Sequence, residues 1–570
     1  MTEFLIANIA PIMFGSLLLF LLTGFPVAFA LASAGMVFGW IGVELGLVPA
    51  VFFNALPLRL YGIMANDVLL AIPFFTLMGL ILERSRMAED LLETIGQVFG
   101  KMRAGLAIAV VLVGAMLAAT TGVVAASVIS MGLISLPIMM RYGYNRPLAS
   151  GVIMASGTLA QIIPPSIVLI VIADQLGQSV GDMYKASFIP AFALVAIYIV
   201  AMLGLAVFKP KWVPALPPEA LTYHESNGNT GHRSLGFLLV LSVFVGAQVF
   251  TFYDKLKIML GGDLDFKAPT DEKVVMTLMV GILFAWLVAV IDKLAKTGLL
   301  SRLAQQVTFV LIPPLLLVFL VLGTIFLGIA TPTEGGAMGA AGAMLMAMLR
   351  KRLPMKLLSQ AVDSSARLSV FVLFVLIGST IFALTFQAID GPAWVKALFA
   401  ALPGGQLGFL LFVNALIFFL GCFLDFFEIA FILLPLLLPV LKEMDINLIW
   451  FGVMVAMNLQ TSFLTPPFGF ALFYLRSVAP KTDYLDRITN VKIPALKTGD
   501  IYRGAIAFVV LQLIMVAAIL FKPEIVTYGL GEVKVLDVKV LDVKGVNMNI
   551  TPADETEEAP PSFGKPAPAK

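Results

Sequence analysis

The sequence predicts an all-α polytopic membrane protein, and three observations lead to that fold class. Hydrophobic residues make up 60% of the 570 residues and charged residues only 13%, whereas soluble domains have roughly 45–50% and 25%. The mean hydropathy is +0.99. Several windows exceed the roughly 20 apolar residues with which a helix crosses about 30 Å of hydrocarbon. A soluble protein of this size would not contain so many apolar windows of that length.

The apolar windows predict about 12 transmembrane helices, with boundaries good to a few residues. The predicted spans are 4–22, 26–45, 66–83, 147–173, 187–207, 235–253, 273–292, 309–330, 334–350, 368–389, 448–476 and 504–521.

Two further apolar segments, 105–140 and 407–441, are too long for one helix and too short for two full spans. Each has small or polar residues near its middle, with "ATTG" at 119–122 and "GCFLD" at 421–425. We predict that each is a re-entrant helical hairpin whose tip lies near the middle of the membrane. Non-helical backbone survives at that depth only where protein or a water-filled cavity surrounds it.

Lysine and arginine mark cytoplasmic ends of membrane helices, and they predict opposite entry for the two hairpins. The first hairpin should enter from the cytoplasm because four basic residues bracket it: Lys101, Arg103, Arg141 and Arg146. The second hairpin has sparse flanking charge and should enter from the periplasm. Opposite entry predicts two inverted halves.

An internal repeat supports two halves. Pro137 precedes Pro164 by 27 residues, Pro439 precedes Pro466 by the same distance, and the offset between the pairs is 302. We therefore divide the chain into a first repeat with the hairpin 105–140, a linker with two extra transmembrane helices, a second repeat with the hairpin 407–441, and a flexible tail. The four parts are 1–208, 209–303, 304–522 and 523–570.

The stretches "SGTLAQIIPPS" (156–166) and "NLQTSFLTPPFGF" (458–470) carry the functional signal. Each double proline removes two backbone donors and frees carbonyls in the preceding turn. Free carbonyls with nearby hydroxyl and amide oxygens suit a weakly held cation such as Na⁺, and the N-termini of half-helices suit an anion. A proline kink can serve packing alone, but two at matched positions of a repeat favour a binding site.

Other polar residues have competing structural explanations. Thr120 and Thr121 can bond back to the preceding turn, and Gly122 can simply allow close helix packing. Acidic residues inside a membrane are costly and therefore indicate function, but Glu334 can cap the start of its helix. Asp425, near the second tip, is the better candidate for holding an ion or for a proton-linked step.

Taken together, "RYGYNRPLASGVIMASGTLAQIIPPSIVLIV", "GIATPTEGGA" and "MNLQTSFLTPPFGFALFYL" resemble the large membrane subunit of tripartite ATP-independent periplasmic (TRAP) transporters. The resemblance covers about 10–208 and 305–521. It implies an elevator-type secondary transporter of the bacterial inner membrane, which imports a small organic anion such as a C4-dicarboxylate, with Na⁺ as the coupling ion. It further implies two partners, a small membrane subunit of about four helices and a periplasmic substrate-binding protein.

The resemblance also implies that the hairpin tips and broken helices form the sites. The substrate candidates are Thr121, Gly122, Ser156, Gly157, Thr158, Asn458 and Gln460. The Na⁺ candidates are Thr121, Pro164, Gly421, Asp425, Thr461, Thr465 and Pro466. No other cofactor is expected.

Alternative functions remain open at this point. A proton-coupled carrier would have the same architecture, and a channel can also be built from paired re-entrant segments. An intramembrane enzyme would use Asp425 and Glu428, but no nucleophile–base pair accompanies them. The composition also argues against other enzymes and nucleic-acid partners: the net charge is +2, Cys422 is the single cysteine, and His224 and His232 lie in a polar connecting segment.

The orientation of the first hairpin is testable by labelling. In an Arg103→Cys variant, we expect a membrane-impermeant thiol reagent to react only when it has access to the cytoplasm. The unmodified chain, with Cys422, gives the background. Labelling that occurs only from the periplasm would overturn the predicted topology.

Overall fold

The structure is a computed structural model that describes residues 2–221, 231–259, 268, 270–400, 402–486, 488–528 and 530. Most of the predicted tail, 523–570, lies outside these residues. The first half and the linker contain α1 Thr2–Leu22, α2 Val27–Glu44, α3 Leu56–Met64, α4 Ala71–Arg84, α5 Met87–Phe99, α6 Gly105–Thr121, α7 Val124–Arg141, α8 Arg146–Thr158, α9 Ile167–Leu176, α10 Val180–Phe208, α11 His232–Met259 and α12 Thr270–Ala295.

The remaining elements are again helical, apart from one short β-hairpin. They are α13 Arg302–Phe326, α14 Pro332–Leu349, α15 Met355–Ala388, α16 Gly391–Ala400, α17 Gly405–Leu420, α18 Phe426–Glu443, α19 Leu448–Leu464, α20 Phe470–Val478, β1 Tyr484–Leu485, β2 Lys492–Ile493, α21 Thr498–Phe521 and α22 Glu524–Thr527.

Among the described residues, nine helices are long and apolar enough to cross a membrane. Eight of them coincide with predicted spans, and the ninth, α7, is the second arm of the predicted first hairpin. The other predicted spans correspond to α4, to α14, and to the two interrupted helices α8–α9 and α19–α20. The prediction of an all-helical membrane protein is thereby supported, whereas the count of 12 spans stays a prediction.

The contacts between the two halves are reciprocal. Helix α2 packs against α15 while α4 packs against α14, α8 packs against α21 while α10 packs against α19, and α9 packs against α18 while α7 packs against α20. The repeat pairs α2 with α14, α8 with α19, α9 with α20 and α10 with α21 in sequence order. For example, α2 contacts α15, which is the counterpart of α4, and α4 contacts α14, which is the counterpart of α2. This exchange of partners is expected when two repeats pack against each other.

Glycines allow the closest of these crossings. A Cβ at Gly504 of α21 would lie 1.9 Å from the Pro147 carbonyl oxygen, and one at Gly151 would lie 2.4 Å from the Gly504 carbonyl oxygen. A Cβ at Gly378 of α15 would likewise meet the Ala28 carbonyl oxygen of α2 at 2.4 Å. Because these obstacles are backbone atoms, no side-chain rotation could accommodate a larger residue.

The extra helices of the linker form a close antiparallel pair. Ser242 and Gly246 on α11 face Thr277 and Gly281 on α12, with four-residue spacing on both helices. A Cβ on Gly246 would lie 2.8 Å from the Thr277 carbonyl oxygen, and one on Gly281 would lie 3.0 Å from the Ser242 carbonyl oxygen. Small residues at this spacing let membrane helices approach closely. The pair then packs against α13.

The loop between α20 and α21 is anchored to the end of α7. It contains the β1–β2 hairpin, and the Arg141 guanidinium donates to the Asp486 carboxylate at 2.9–3.1 Å. Thr489 donates to the same carboxylate through its backbone N–H and its hydroxyl, at 2.8 and 2.7 Å. The Arg141 bonds, followed by those of Thr489, hold the pKa of the buried Asp486 carboxyl well below its ordinary value. This ion pair joins the first hairpin to the second half of the chain.

We expect Asp486→Asn to lower the Tm of the purified protein by about 2–5 °C, because Arg141 loses its charged partner. A depressed folded-state pKa means that the carboxylate stabilises the fold above its unfolded-state pKa of about 3.9, and that this stabilisation is lost as the pH falls further. The difference in Tm should thus be constant between about pH 8 and 5 and shrink below about pH 4.

Asp483→Asn is the matched control, since Asp483 makes an exposed ion pair with Lys492 at 3.2 Å and accepts a hydrogen bond from the Ala495 backbone N–H at 2.9 Å, which the asparagine oxygen can also accept. Such pairs contribute little, so this variant should keep the wild-type Tm. An Asp486→Asn protein as stable as wild type at pH 7 would contradict the anchoring role.

Candidate functional site

The first double proline lies in a fully buried interruption of the helix. Helix α8 ends at Thr158, a 3₁₀ turn spans Leu159–Gln161, and α9 begins only at Ile167. Every residue of 159–166 is buried. The Pro164–Pro165 peptide bond is cis. The predicted break is therefore present, and protein surrounds it on all sides.

The second double proline interrupts its helix in the same way but is less enclosed. Helix α19 ends at Leu464, Thr465 is extended with φ −84° and ψ 123°, and α20 begins at Phe470. The Pro466–Pro467 bond is also cis. In contrast to the first break, Pro467 is exposed and Phe468 is 48% exposed. The two breaks thus differ in how far protein covers them.

Both interrupted helices begin with the same cap. Asn145 accepts a hydrogen bond from the Leu148 backbone N–H at 3.2 Å, and Asn447 accepts one from the Trp450 N–H at 2.9 Å. Asparagine is a preferred residue at this position because its side-chain oxygen satisfies a free N–H of the first turn. The two caps keep the 302-residue offset of the prolines. This third repeat signal was available in the sequence but was missed.

Each predicted hairpin tip lies against the break of its own half. Gly122 has φ +60°, and a Cβ there would lie 3.4 Å from the Pro165 carbonyl oxygen and 3.3 Å from the Ile167 side chain. In the second half, a Cβ on Gly421 would lie 2.2 Å from the Ser462 hydroxyl oxygen. The predicted residues therefore form two clusters, one in each half.

The two clusters meet through the interrupted helices. The turn Leu159–Gln161 contacts α6 and α7 of its own hairpin and also α19 of the other half. Helix α9 contacts α18 and α19, and α20 contacts α7. The interrupted helices consequently bring the two predicted clusters into contact.

The predicted hydroxyl groups use their protons within their own helices. Thr121 donates to the Leu117 carbonyl at 2.9 Å and lies 2.8 Å from the Ser127 hydroxyl. Thr461 donates to the Met457 carbonyl at 3.0 Å, and Thr465 donates to the Thr461 carbonyl at 2.9 Å. Bonding back to the preceding turn is the structural role anticipated for threonine. It leaves the oxygen lone pairs available as acceptors for a cation.

Ser156 and Thr158 behave in the same way. They donate to the Ile153 and Ala155 carbonyls, both at 3.0 Å. Thr158 additionally lies 3.5 Å from the Gln512 side-chain nitrogen. Gly157 allows α8 to lie close to the first hairpin, since a Cβ there would lie 3.0 Å from the Val128 backbone nitrogen.

The acidic candidates are helix caps. Asp425 accepts a hydrogen bond from the Phe426 backbone N–H at 2.7 Å, and Glu428 accepts one from the Asp425 N–H at 2.9 Å. Thr331 and Glu334 form the same reciprocal motif at the start of α14. The structural role anticipated for Glu334 is therefore observed. Asp425, the favoured ion ligand, has a capping role as well and has a second carboxylate three residues away.

Two buried glutamines lack well-formed hydrogen bonds. Among the described residues, none of the side-chain polar atoms of Gln161 or Gln460 makes a hydrogen bond of good geometry, and both residues are fully buried. The Gln460 amide does lie close enough to the Tyr198 hydroxyl to interact with it. An unsatisfied buried polar group costs about 1–3 kcal/mol. Gln460 was predicted as a site residue, but Gln161, three residues before the first double proline, was missed. Gln161 could have been recognised as a candidate site residue from the sequence, because it is an amide within an interrupted membrane helix.

Two other buried amides near the site do form hydrogen bonds, although the Gln512 side-chain oxygen has none. Gln512 of α21 donates to the Tyr198 hydroxyl of α10 at 2.8 Å. Asn458 donates to the backbone and side-chain oxygens of Asn414 on α17, at 2.7 and 3.2 Å. Asn458, predicted to bind substrate, thus ties α19 to the second hairpin. The contrast with these partners makes the unpaired glutamines the most unusual groups at the breaks.

The donor set at the breaks fits a hard monovalent cation better than a transition metal. Within the described part of the chain, no three His, Cys, Asp or Glu side chains come together. The groups that are present are hydroxyl, amide and main-chain oxygens, and oxygen ligands suit hard cations.

Comparison with known proteins gives the family. The family model described as "Tripartite ATP-independent periplasmic transporter, DctM component" matches residues 14–525. The C4-dicarboxylate TRAP transporter large permease protein of Pseudomonas aeruginosa is 25% identical over 83% of this chain and 88% of its own length. The corresponding protein of Rhodobacter capsulatus is 26% identical over 81% and 89%.

A relative with another named substrate is the sialic acid TRAP transporter permease protein of Haemophilus influenzae, which is 22% identical over 81% of this chain and 59% of its own length. The family match and the many apolar helices show an integral membrane protein. This chain therefore belongs to the family of DctM components, the large permease proteins of tripartite ATP-independent periplasmic transporters.

Proposed function

We propose that this permease imports a small organic anion across the bacterial inner membrane as a Na⁺-coupled secondary transporter. The substrate and the ions would bind where the two helix breaks and the two hairpin tips meet. Both hairpins would be re-entrant, and the two repeats would have inverted orientation in an elevator-type carrier.

The observation that carries this proposal is the pair of unpaired glutamines. Gln161 and Gln460 together leave four amide atoms without a hydrogen bond of good geometry in fully buried surroundings. The turn that ends at Gln161 contacts α19, the helix that carries Gln460. A folded core has no use for such groups, because each lowers its stability. A polar ligand that arrives between the breaks would satisfy them, since an amide both donates and accepts hydrogen bonds.

The ends of the broken helices support an anionic substrate. Helices α7, α9 and α20 begin after Val123, Ser166 and Gly469, and none of these residues caps its helix with a side-chain hydrogen bond. The first backbone N–H groups of a helix have no partner within the helix. Together with the helix dipole they favour negative charge, worth about 0.3–1 kcal/mol per terminus.

Oxygen atoms on the other side of each break support a coupling cation. Thr121, Thr461 and Thr465 keep free lone pairs because their protons bond backward. Prolines at 164–165 and 466–467 remove donors that would otherwise occupy carbonyls of the preceding turns. Half-helices arranged in this way place anion-binding and cation-binding ends beside each other.

The reciprocal helix contacts support the inverted-repeat architecture. A two-fold axis would exchange α2 with α14, α8 with α19, and α10 with α21, and would give the paired contacts described above. The different charge that flanks the two hairpins favours an axis in the membrane plane. In an elevator-type carrier, the hairpins and interrupted helices would move together against the outer helices. The domain limits 1–208, 209–303, 304–522 and 523–570 belong to this proposal.

The family and the relatives support the substrate class and the partners. The names of the relatives specify C4-dicarboxylate and sialic acid, which are both organic anions. We propose that a periplasmic substrate-binding protein delivers the anion and that a small membrane subunit of about four helices completes the permease. A proton-coupled variant is favoured only by the half-buried pair Asp425 and Glu428. Uptake that is driven by a pH gradient and does not depend on Na⁺ would show that the carrier is proton-coupled.

We expect Gln161→Leu and Gln460→Leu to reduce uptake by about tenfold or more while leaving the Tm unchanged or higher. Leucine has nearly the same size, and replacing an unsatisfied buried amide removes its cost of about 1–3 kcal/mol. Uptake in proteoliposomes with the small subunit and the binding protein, together with Tm, separates the two effects.

Gln512→Leu is the control for stability, because it breaks a hydrogen bond to Tyr198 and should lower the Tm. If Gln161→Leu and Gln460→Leu proteins transport normally, the breaks do not form the substrate site.

We further expect a Thr461→Val/Thr465→Val double variant to raise the Na⁺ concentration for half-maximal uptake by about tenfold, since two oxygen ligands are lost. Thr385→Val is the control, because Thr385 is buried and bonded to the Gly35 carbonyl far from either break. Equal Na⁺ dependence of the double variant and wild type would reject a role for these hydroxyls.

A further inference from the structure

A cleft of about 290 Å³ opens between the two linker helices and α13. Its walls are aliphatic side chains such as Leu235, Leu239 and Leu311, and small residues such as Gly246 and Gly281 line the crossing of α11 with α12. The proposed transport site uses none of these residues. The cleft is therefore a separate apolar feature on the insertion of this chain.

The cleft has the length of one leaflet. On α11 it runs from Leu235 to Gly246, which at about 1.5 Å per residue is roughly 16 Å. The hydrocarbon core is about 30 Å thick, so the cleft covers half of it. A stretch of α-helix of that length, about 10 Å in diameter, would occupy on the order of 1,200 Å³. A cleft of this length accommodates one extended hydrocarbon chain, whereas a transmembrane helix could not enter it fully.

Basic residues gather at one end of the cleft. The Lys293 ammonium lies 4.7 Å from the centre of the Phe309 ring. Phe309 packs against the same buried cluster around Leu238 as Leu235 and Ala285, which line the cleft. Arg233 and Lys296 are exposed at the same end of the helix pair, where the Ser301 hydroxyl donates to the Gly231 carbonyl at 2.9 Å.

Two acidic residues at this end have partners other than Lys293. Asp90 pairs with Arg350 and Arg352, and Arg350 also donates to the Phe309 carbonyl. Asp292 is buried, with 2% exposure, and its carboxylate accepts hydrogen bonds from Thr297, Gln305 and two backbone N–H groups. A positive-charge cluster at helix ends identifies the cytoplasmic side, and basic pockets between membrane helices on that side bind anionic head groups.

We propose that this cleft is a binding site for an anionic phospholipid of the cytoplasmic leaflet. One acyl chain lies between α11, α12 and α13, and the phosphate-containing head group lies beside Arg233 and Lys293. The length of the cleft fits one hydrocarbon chain, and the positive charge at its end favours an anionic head group.

Native mass spectrometry of the purified full chain with added dioleoyl-phosphatidylglycerol or dioleoyl-phosphatidylcholine tests the site. We expect wild type to retain phosphatidylglycerol in preference. An Arg233→Gln/Lys293→Gln variant should lose about tenfold in phosphatidylglycerol retention, with phosphatidylcholine unaffected. Ala285→Phe fills the cleft and should reduce the retention of both lipids.

Matched controls are Lys255→Gln, at the opposite end of α11, and Leu287→Phe, on α12 but outside the cleft; both should retain lipid as wild type does. Wild-type retention by the Arg233→Gln/Lys293→Gln protein, which needs no change of packing, would overturn the proposal. Disulfide crosslinking of a Leu239→Cys chain to a helix of the co-expressed small subunit would also overturn it, by showing a protein in the cleft.

Discussion

The whole central region depends on the rule that main-chain polar groups in hydrocarbon must be paired or enclosed. Two helices of this chain are interrupted by double prolines, and their freed backbone groups cannot face lipid. The first interruption is enclosed completely, with every residue from 159 to 166 buried. This need for enclosure explains why other elements pack around the breaks. They are the hairpin tips at Gly122 and Gly421 and the long helices α10 and α21.

Enclosure also explains why small residues are so frequent around the breaks. Gly122 and Gly157 bring the first hairpin against the first interrupted helix, and Gly421 does the same in the second half. Gly151 and Gly504 bring α21 against α8. At Gly122 the positive φ favours glycine, and at the other points a Cβ would lie 3.0 Å or less from a neighbouring backbone or hydroxyl atom. Close packing thus leaves little free space near the breaks, and the unpaired glutamines stand out within it.

Much of this arrangement could be predicted from the sequence because proline acts locally. The double prolines specify where α8–α9 and α19–α20 must be interrupted, whatever surrounds them. Long apolar runs likewise specify most of the other helices. Helix α15 begins 13 residues before its predicted start at 368, because a helix can continue through polar residues where it leaves the apolar core. The amphipathic helix α5 was not predicted, since it is too polar to register as a span.

The side-chain partners could not be predicted, because they depend on which helices cross. Tyr198 and Gln512 are 314 positions apart and meet only where α10 and α21 pack together. Asn414 and Asn458 meet in the same manner. The absence of a partner for Gln161 is likewise a property of the assembled core. For Asp425 the hydrogen bonds are local, so its capping role could have been predicted from the sequence. Its position near the second hairpin tip favoured an ion ligand instead.

The linker pair α11–α12 shows how a membrane protein can gain helices without a change in the arrangement of its other helices. The two ends of the insertion are held next to each other by the bond between Ser301 and Gly231, and its main packing partner outside itself is α13. A unit with adjacent ends and an even number of crossings can enter a gene in a single event. Every later helix then keeps its direction, so evolution can graft a new surface onto an ancient carrier without rebuilding its machinery.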